Sequence, residues 1–254
     1  MVTASVALAK RVLRGLLRRT QFLEPLIVFP SLLLAVNAAG LERSTNLPGF
    51  PPVDTFLDFQ LSATIVQAQL LGGISAGIAV ALEIEGGFFD RLVLAPIPRT
   101  AVVFGRLLAT AVVSAILVLF FLTIGFIFGA HIESGVLGFL CMLVIGVTAG
   151  VGFGAIGVAI ALRARNAATV QGIFPLVFVL LFASSAFFPI DLLSPPASWI
   201  ADFNPLSYIA DGMRDPMIST ISWDKVLAGF AAAAGVAAVA IWASLVALRG
   251  RLRD

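Results

Sequence analysis

The stretch Ser134-Gly-Val-Leu-Gly-Phe-Leu-Cys-Met-Leu-Val-Ile-Gly-Val-Thr-Ala-Gly-Val-Gly-Phe-Gly-Ala-Ile-Gly-Val-Ala-Ile-Ala-Leu162 holds 29 residues and no charge. About 20 apolar residues at ~1.5 Å per residue cross ~30 Å of hydrocarbon, so this stretch alone is long enough to span a membrane as a helix. Five more runs between charged residues share the property: Pro25 to Leu41 (17 residues), Phe59 to Leu82 (24), Leu107 to Ala130 (24), Asn166 to Ile190 (25) and Val226 to Leu248 (23). The expected fold is an all-α integral membrane protein, one transmembrane domain over 1–254, with six spans at about 22–41, 59–82, 104–130, 134–162, 168–189 and 226–248. The first run is short, contains Pro30 and follows a basic N-terminus, which is the outline of a signal peptide. Its apolar core starts some twenty residues in and would end near residue 39, beyond the ~15–30 of a cleaved signal, so it is kept as a span. Composition agrees: 60% of the 254 residues are apolar, 12% are charged where ~25% is usual, and mean hydropathy is +1.07, which excludes a water-soluble protein.

Lysine and arginine set the expected orientation. Six spans put Lys10, Arg11, Arg14, Arg18, Arg19, Arg91, Arg99, Arg106, Arg163, Arg165, Arg249, Arg251 and Arg253 on one side, against Arg43, Arg214 and Lys225 on the other. Thirteen against three predicts a multi-pass protein of the plasma (cytoplasmic) membrane with both termini cytoplasmic. The net charge of only +2 gives no nucleic-acid partner.

Catalytic chemistry finds no support. His131, the sole histidine, lies beside Glu133 in a short outer turn, and a solvated surface residue is the favoured reading over a ligand or base. Cys141 is the only cysteine and sits inside a span, so neither a disulfide framework nor a multi-cysteine zinc site is available and no metal site is expected. No G-x-x-x-x-G-K-[ST] phosphate cradle occurs, so ATP chemistry would belong to another chain. The last five runs carry no mid-membrane acid, base or histidine, which disfavours ion-coupled transport. Glu24 is expected at the inner interface within reach of Arg18 and Arg19. The spans do carry small residues at four-residue spacing, Gly73 and Gly77 in one and Gly146, Gly150 and Gly154 in another, which lets helix backbones approach closely.

Three segments outside the spans are patterned. Residues 2–20 alternate Val6, Leu8, Val12, Leu13, Leu16 and Leu17 with basic residues at near-helical spacing, an amphipathic elbow helix at the cytoplasmic interface; a solvated basic leader is the alternative. In the coupling segment 83–99, acids precede Phe88, Phe89, Asp90, Arg91 and Leu92, then Pro96. Phe88, Leu92 and Ala95 would share one face of a short surface helix, suited to a cleft in a cytosolic partner. In the outer segment 188–215, Pro189, Pro195 and Pro196 interrupt helix while Phe187, Phe188, Trp199 and Ile200 stay apolar, which predicts re-entrant helices sheltered by protein.

Two of these motifs resemble the permease subunits of type-2 ABC exporters, in particular the daunorubicin-resistance-like branch. One is Glu85-Gly86 with Asp90-Arg91-Leu92 and Pro96, followed by Arg99, Gly105 and Arg106. The other runs from Ser184-Ser185-Ala186-Phe187-Phe188-Pro189 through Leu193-Ser194-Pro195-Pro196 and Trp199 to Asn204-Pro205-Leu206-Ser207-Tyr208, Asp211 and Arg214. One departure is Gly87, where many relatives have Thr, a possible cap for the short helix.

The resemblance implies a pair of permeases, homodimer or heterodimer, among membrane lipids, each docking one cytosolic ABC ATPase that carries the ATP and Mg. Coupling would fall to Glu85, Gly86, Phe88, Asp90, Arg91, Leu92 and Pro96. The substrate path would run along the second and fifth spans, past Gln60, Gln67, Gln69, Gln171, Phe174, Phe178 and Phe182, although a phenylalanine stripe equally serves lipid or packing. An outer gate would comprise Phe187, Phe188, Pro189, Trp199, Asn204 and Pro205. The cargo expected is an amphipathic drug or lipid; the alternatives are a glycolipid or polysaccharide, or a membrane-embedded enzyme or accessory protein that needs no ATPase.

Overall fold

The computed structural model describes residues 2–17 and 23–251. Residues 18–22, which include Arg18 and Arg19 of the elbow and the start of the first expected span, and Arg253 lie outside the described residues. Among the described residues the chain is helical and forms no strand.

Among the described residues four helices are long and apolar enough to cross a membrane: α3 (Phe56–Glu85), α5 (Arg99–Ile127), α6 (Gly135–Ala164) and α11 (Trp223–Arg251). At 29 or 30 residues each is about 44 Å long, more than the hydrocarbon requires. α3 and α11 contain their charge-free runs whole, α6 lacks only Ser134 of its run, and α5 stops three residues before its run ends at Ala130. The other two expected spans are shorter apolar helices. α2 (Glu24–Gly40) has 17 residues with Pro30 buried inside it. The fifth is divided into α7 (Ala167–Gln171) and α8 (Phe174–Phe182). The division has a local cause: Pro175 in the first turn of α8 has no N–H to give to Gln171, and Gly172 just before it weakens helix. Asn166 starts α7 by accepting the Thr169 N–H (3.0 Å).

Four smaller α-helices complete the described residues. α1 (Val2–Leu17) packs on α5, with Gly105 facing Ser5 and Leu8; a Cβ at Gly105 would come within 2.7 Å of the Leu8 side chain. α4 (Phe88–Leu94) joins α3 to α5, and α9 (Ala197–Phe203) and α10 (Pro205–Ile218) lie between α8 and α11. The proline-rich segment 41–55 forms only a 3-10 turn at Glu42–Asn46 before a Thr55/Asp58 capping box opens α3.

The glycine spacing supplies the packing register. On α6, a Cβ at Gly146 would press on Val118, one at Gly150 on Ser114 and one at Gly154 on Thr110 of α5, a ladder that climbs one helix as it descends the other. The neighbouring face of α6 meets α3 in parallel: Gly73 lies against the Phe153 backbone and Gly77 against Gly157. Close approach of backbones is what small residues permit in a bilayer, where packing rather than hydrophobic exclusion brings helices together. Gly212 and Gly229 do the same between α10 and α11. α6 thus sits at the centre, packed on α3, α5, α10 and α11. Buried apolar side chains form two clusters, one around Leu61, Phe121 and Met213, the other around Phe89, Val103 and Leu162 near α4.

Candidate functional site

Chemistry-bearing side chains gather at the two ends of the bundle. At the α4 end, α3 stops at Gly86, and Gly87 turns the chain with φ +65°, a left-handed conformation open to glycine without a Cβ penalty. No side-chain cap forms there. Gly87 therefore serves the turn itself.

α4 is held from several sides. Phe89 is buried, 1% exposed, in the cluster with Val103 and Leu162. Burying such a ring contributes roughly 2–3 kcal/mol. Arg11 of α1 lies 3.6 Å over the Phe88 ring and 3.4 Å from Glu83, which also pairs with the buried Arg106. Asp90 pairs with Arg251 of α11 at 2.7 Å, and the Arg251 guanidinium sits 5.0 Å from the Phe89 ring. Glu85 accepts the Ala167 N–H (2.8 Å) and so ties the start of α7 to the end of α3. Arg91 and Leu94 face outward together with Pro96, Leu94 being 85% exposed.

Phe88 and Leu92 lie four residues apart in α4 and share a face as expected; Ala95 alone falls outside the helix. The inward face of α4 is carried by Phe89, with Leu92 half-buried; Phe88 is half-buried under Arg11; Ala95 lies past the helix end. The turn at Gly87 sets the phase of the helix, and sequence spacing alone does not contain it. Phe89, Glu83, Arg11 and Arg251 were missed as supports. For Glu83, Arg11 and Arg251 the legible signal was opposite charge on segments that six spans would place on one side; Phe89 carried no such signal.

At the other end, the segment after α8 is knitted by hydrogen bonds. Asn204 donates from Nδ2 to the carbonyls of Leu180 (2.7 Å) and Ala183 (3.2 Å) and accepts the Leu206 N–H at Oδ1 (3.0 Å), closing α8 and opening α10 at once. Ser207 accepts the Ser185 N–H (3.0 Å) and donates to the Ala201 carbonyl (2.7 Å). Arg214, 4% exposed, donates to the carbonyls of Ala186 (2.5 Å), Ser185 (3.3 Å) and Phe59 (3.2 Å), stacks 3.8 Å over the Phe59 ring and pairs with Asp211. Asp211 in turn accepts from the Ser185 hydroxyl (2.9 Å).

The sequence places Arg214 on the far side of the charge count and at the end of the family signature, without showing that it is buried. Leu206, Ile209, Ala210, Met213 and Met217 mark one buried helical face that takes in residue 214, and this was the available signal. The expected gate residues divide: Phe187, Pro189 and Asn204 are buried, whereas Phe188, Trp199 and Pro205 are exposed.

The expected path residues divide as well. Phe174, Phe178 and Phe182 form an aromatic ladder with centroids 5.0 and 6.4 Å apart, continued by Phe187 stacked 5.0 Å from Phe182 and by Phe29 of α2 set edge-on to Phe178. Gln171 is exposed near its α7 end. Gln60, Gln67 and Gln69 are not on this surface. They are buried inside the chain, Gln69 donating to the Ser114 carbonyl (3.1 Å) and the Gln60 and Gln67 amides without hydrogen-bond partners among the described residues. An amide in an apolar span turns inward, where protein carbonyls replace water.

Comparison with known proteins agrees with this architecture. The chain is 28% identical to a putative transport permease, ycf38, of Porphyra purpurea over 214 residues, covering 82% of this chain and 72% of that one. It is 27% identical over 188 residues to the daunorubicin resistance ABC transporter permease protein DrrB1 of Streptomyces coeruleorubidus (73% and 66% covered). It is 26% identical over 168 residues to a probable doxorubicin resistance ABC transporter permease protein, DrrC, of Mycobacterium tuberculosis (61% and 60% covered). The model of ABC-2 type transporters matches residues 4–218, which takes in both patterned ends of the bundle, and the chain belongs to that family of multi-pass membrane transport permeases.

Proposed function

We propose that the protein is the permease subunit of an ATP-driven exporter that moves amphipathic drugs or lipids out of the cytoplasm or inner leaflet. A partner ABC ATPase carries the ATP and Mg, and a second permease, identical or related, completes the pair. α2 and the divided α7–α8 act as the first and fifth of six spans, in the cytoplasmic membrane, with both termini and α4 on the cytoplasmic side. α1 lies as an elbow at that interface, and α9 and α10 re-enter from outside. In this reading the domain covers 1–254, with the elbow at 2–20, coupling at 83–99 and the re-entrant segment at 188–215.

The observation that carries the reading is the continuity of α3. This one 30-residue helix is joined to α4 through Gly86 and Gly87, and its other end is held by Arg214 through the Phe59 carbonyl and ring. A force applied to the outward residues Arg91, Leu94 and Pro96 reaches the outer hydrogen-bonded segment through a single rod. The ATPase docks on that face, with Glu85, Gly86, Phe88, Asp90 and Leu92 holding the lever to the bundle. Cargo moves along the aromatic ladder of α8, and Gln60 and Gln67 come into reach when α3 parts from its neighbours. Phe187, Phe188, Pro189, Trp199, Asn204 and Pro205 border the exit.

Two relatives named for daunorubicin and doxorubicin resistance support a drug or lipid cargo over a glycolipid or polysaccharide. Purification with the cognate ATPase tests the docking face. Arg91→Glu should lower ATPase recovery at least tenfold at unchanged permease level, because reversing an interfacial charge costs several kcal/mol. Equal recovery would remove α4 from the interface.

A further inference from the structure

At the end of the bundle away from α4, a recess of about 240 Å³ is lined by Asp54, Asp58, His131 and Glu133, with no lysine or arginine in its walls. We infer that Asp54, His131 and Glu133, backed by Asp58, form a zinc-type divalent cation site that clips the loop before α3 to the turn between α5 and α6. The inference is independent of what the permease carries.

Three observations meet here. First, the donor atoms are already gathered: His131 Nε2 lies 3.0 Å from Glu133 Oε1 and 3.4 Å from Asp54 Oδ2, and the three ligand atoms fall within 4.8 Å of one another. Zinc bonds of ~2.0–2.2 Å to nitrogen and oxygen set tetrahedral edges at about 3.3–3.6 Å, close to these separations. Second, Asp58 is 4% exposed and its two oxygens differ. Oδ2 accepts the Thr55 N–H (3.1 Å) and hydroxyl (2.8 Å), whereas the buried Oδ1 has no hydrogen-bond partner among the described residues. An unpartnered carboxylate oxygen in a recess holding two more carboxylates calls for a cation. Third, the turn is fixed in place: Glu133 and Ser134 give their N–H groups to the Met217 and Pro216 carbonyls (both 3.2 Å) at the end of α10.

One imidazole nitrogen among carboxylate oxygens selects zinc-like ions over Mg²⁺ and Ca²⁺, which prefer all-oxygen shells. A bound ion would join the start of α3 and the end of α10 through the short turn between α5 and α6.

The test is zinc titration of the purified chain carrying no oligohistidine tag, followed calorimetrically. One Zn²⁺ per chain should bind, and Asp54→Asn, His131→Gln and Glu133→Gln should each raise Kd at least tenfold while their metal-free unfolding temperatures match the parent. Co²⁺ in the parent should give a visible d–d spectrum that Zn²⁺ displaces, a readout that does not depend on any variant. The site is refuted by the absence of saturable binding up to about 1 mM, by affinity unchanged in the variants, or by Ca²⁺ binding as tightly as Zn²⁺.

Discussion

Replacing Arg214 by Met removes one side chain that four partners share. The carbonyls of Ser185 and Ala186 are inside the protein, at 1% and 0% residue exposure, and lose a charged donor. A buried acceptor left without its donor costs about 1–3 kcal/mol. The Phe59 carbonyl keeps the Ser62 hydroxyl at 3.2 Å and contributes less. Asp211, whose side chain is 41% exposed, can turn to water and to Ser185, so its orphaned charge adds little. The sum is about 3–5 kcal/mol, in the range of a broken buried ion pair. On the scale of a soluble domain of this size that lowers Tm by roughly 6–20 °C.

Thermal unfolding in detergent, read by size-exclusion recovery, measures this drop. Arg214→Lys, with three donors on a point charge, should fall between Met and the parent. Arg91→Met, on an exposed side chain, should move Tm little. If Arg214→Met shifts Tm no more than Arg91→Met, the hydrogen bonds ascribed to Arg214 do not hold the outer segment.

Gly87→Thr would add a possible capping hydroxyl, yet φ +65° should make it cost about 1–2 kcal/mol, with Asn tolerated better; a neutral or stabilising Thr would contradict the left-handed turn. Asn204→Leu deprives two carbonyls and one N–H of partners and should cost about 2–4 kcal/mol, impairing export while ATPase association stays unchanged. Normal export by this variant would show that the α8–α10 joint is passive. In a Cys141→Ala background, Ser194→Cys should react with an impermeant thiol reagent on intact cells and Leu94→Cys should not; reversed labelling would overturn the orientation.

The long helices were legible because charge-free runs of 23 to 29 residues admit one structure in lipid. Gly73, Gly77, Gly146, Gly150 and Gly154 announced close packing, but not their partners, since register is a property of two helices at once. The break between α7 and α8 was written in Gly172 and Pro175, and a hydropathy reading passes over it because both flanks are apolar. The two ends were legible as motifs and illegible as geometry. The role of Arg214 was not legible because its acceptors are backbone carbonyls from α3 and from the segment after α8, which no side-chain pattern records. His131 showed only Glu133 beside it because Asp54 reaches it from the loop before α3, and Asp58 lines the same recess from the first turn of α3.

The central claim, that a partner ATPase drives export by pushing on α4, is tested most directly by reconstituted transport. Inverted vesicles containing the permease and its cognate ATPase should accumulate a fluorescent amphipathic drug when ATP is supplied. Arg91→Glu should abolish that accumulation with both proteins still present in the membrane. ATP-driven uptake that survives the charge reversal, or no ATP-dependent uptake of any amphipathic compound by the parent pair, would contradict the account.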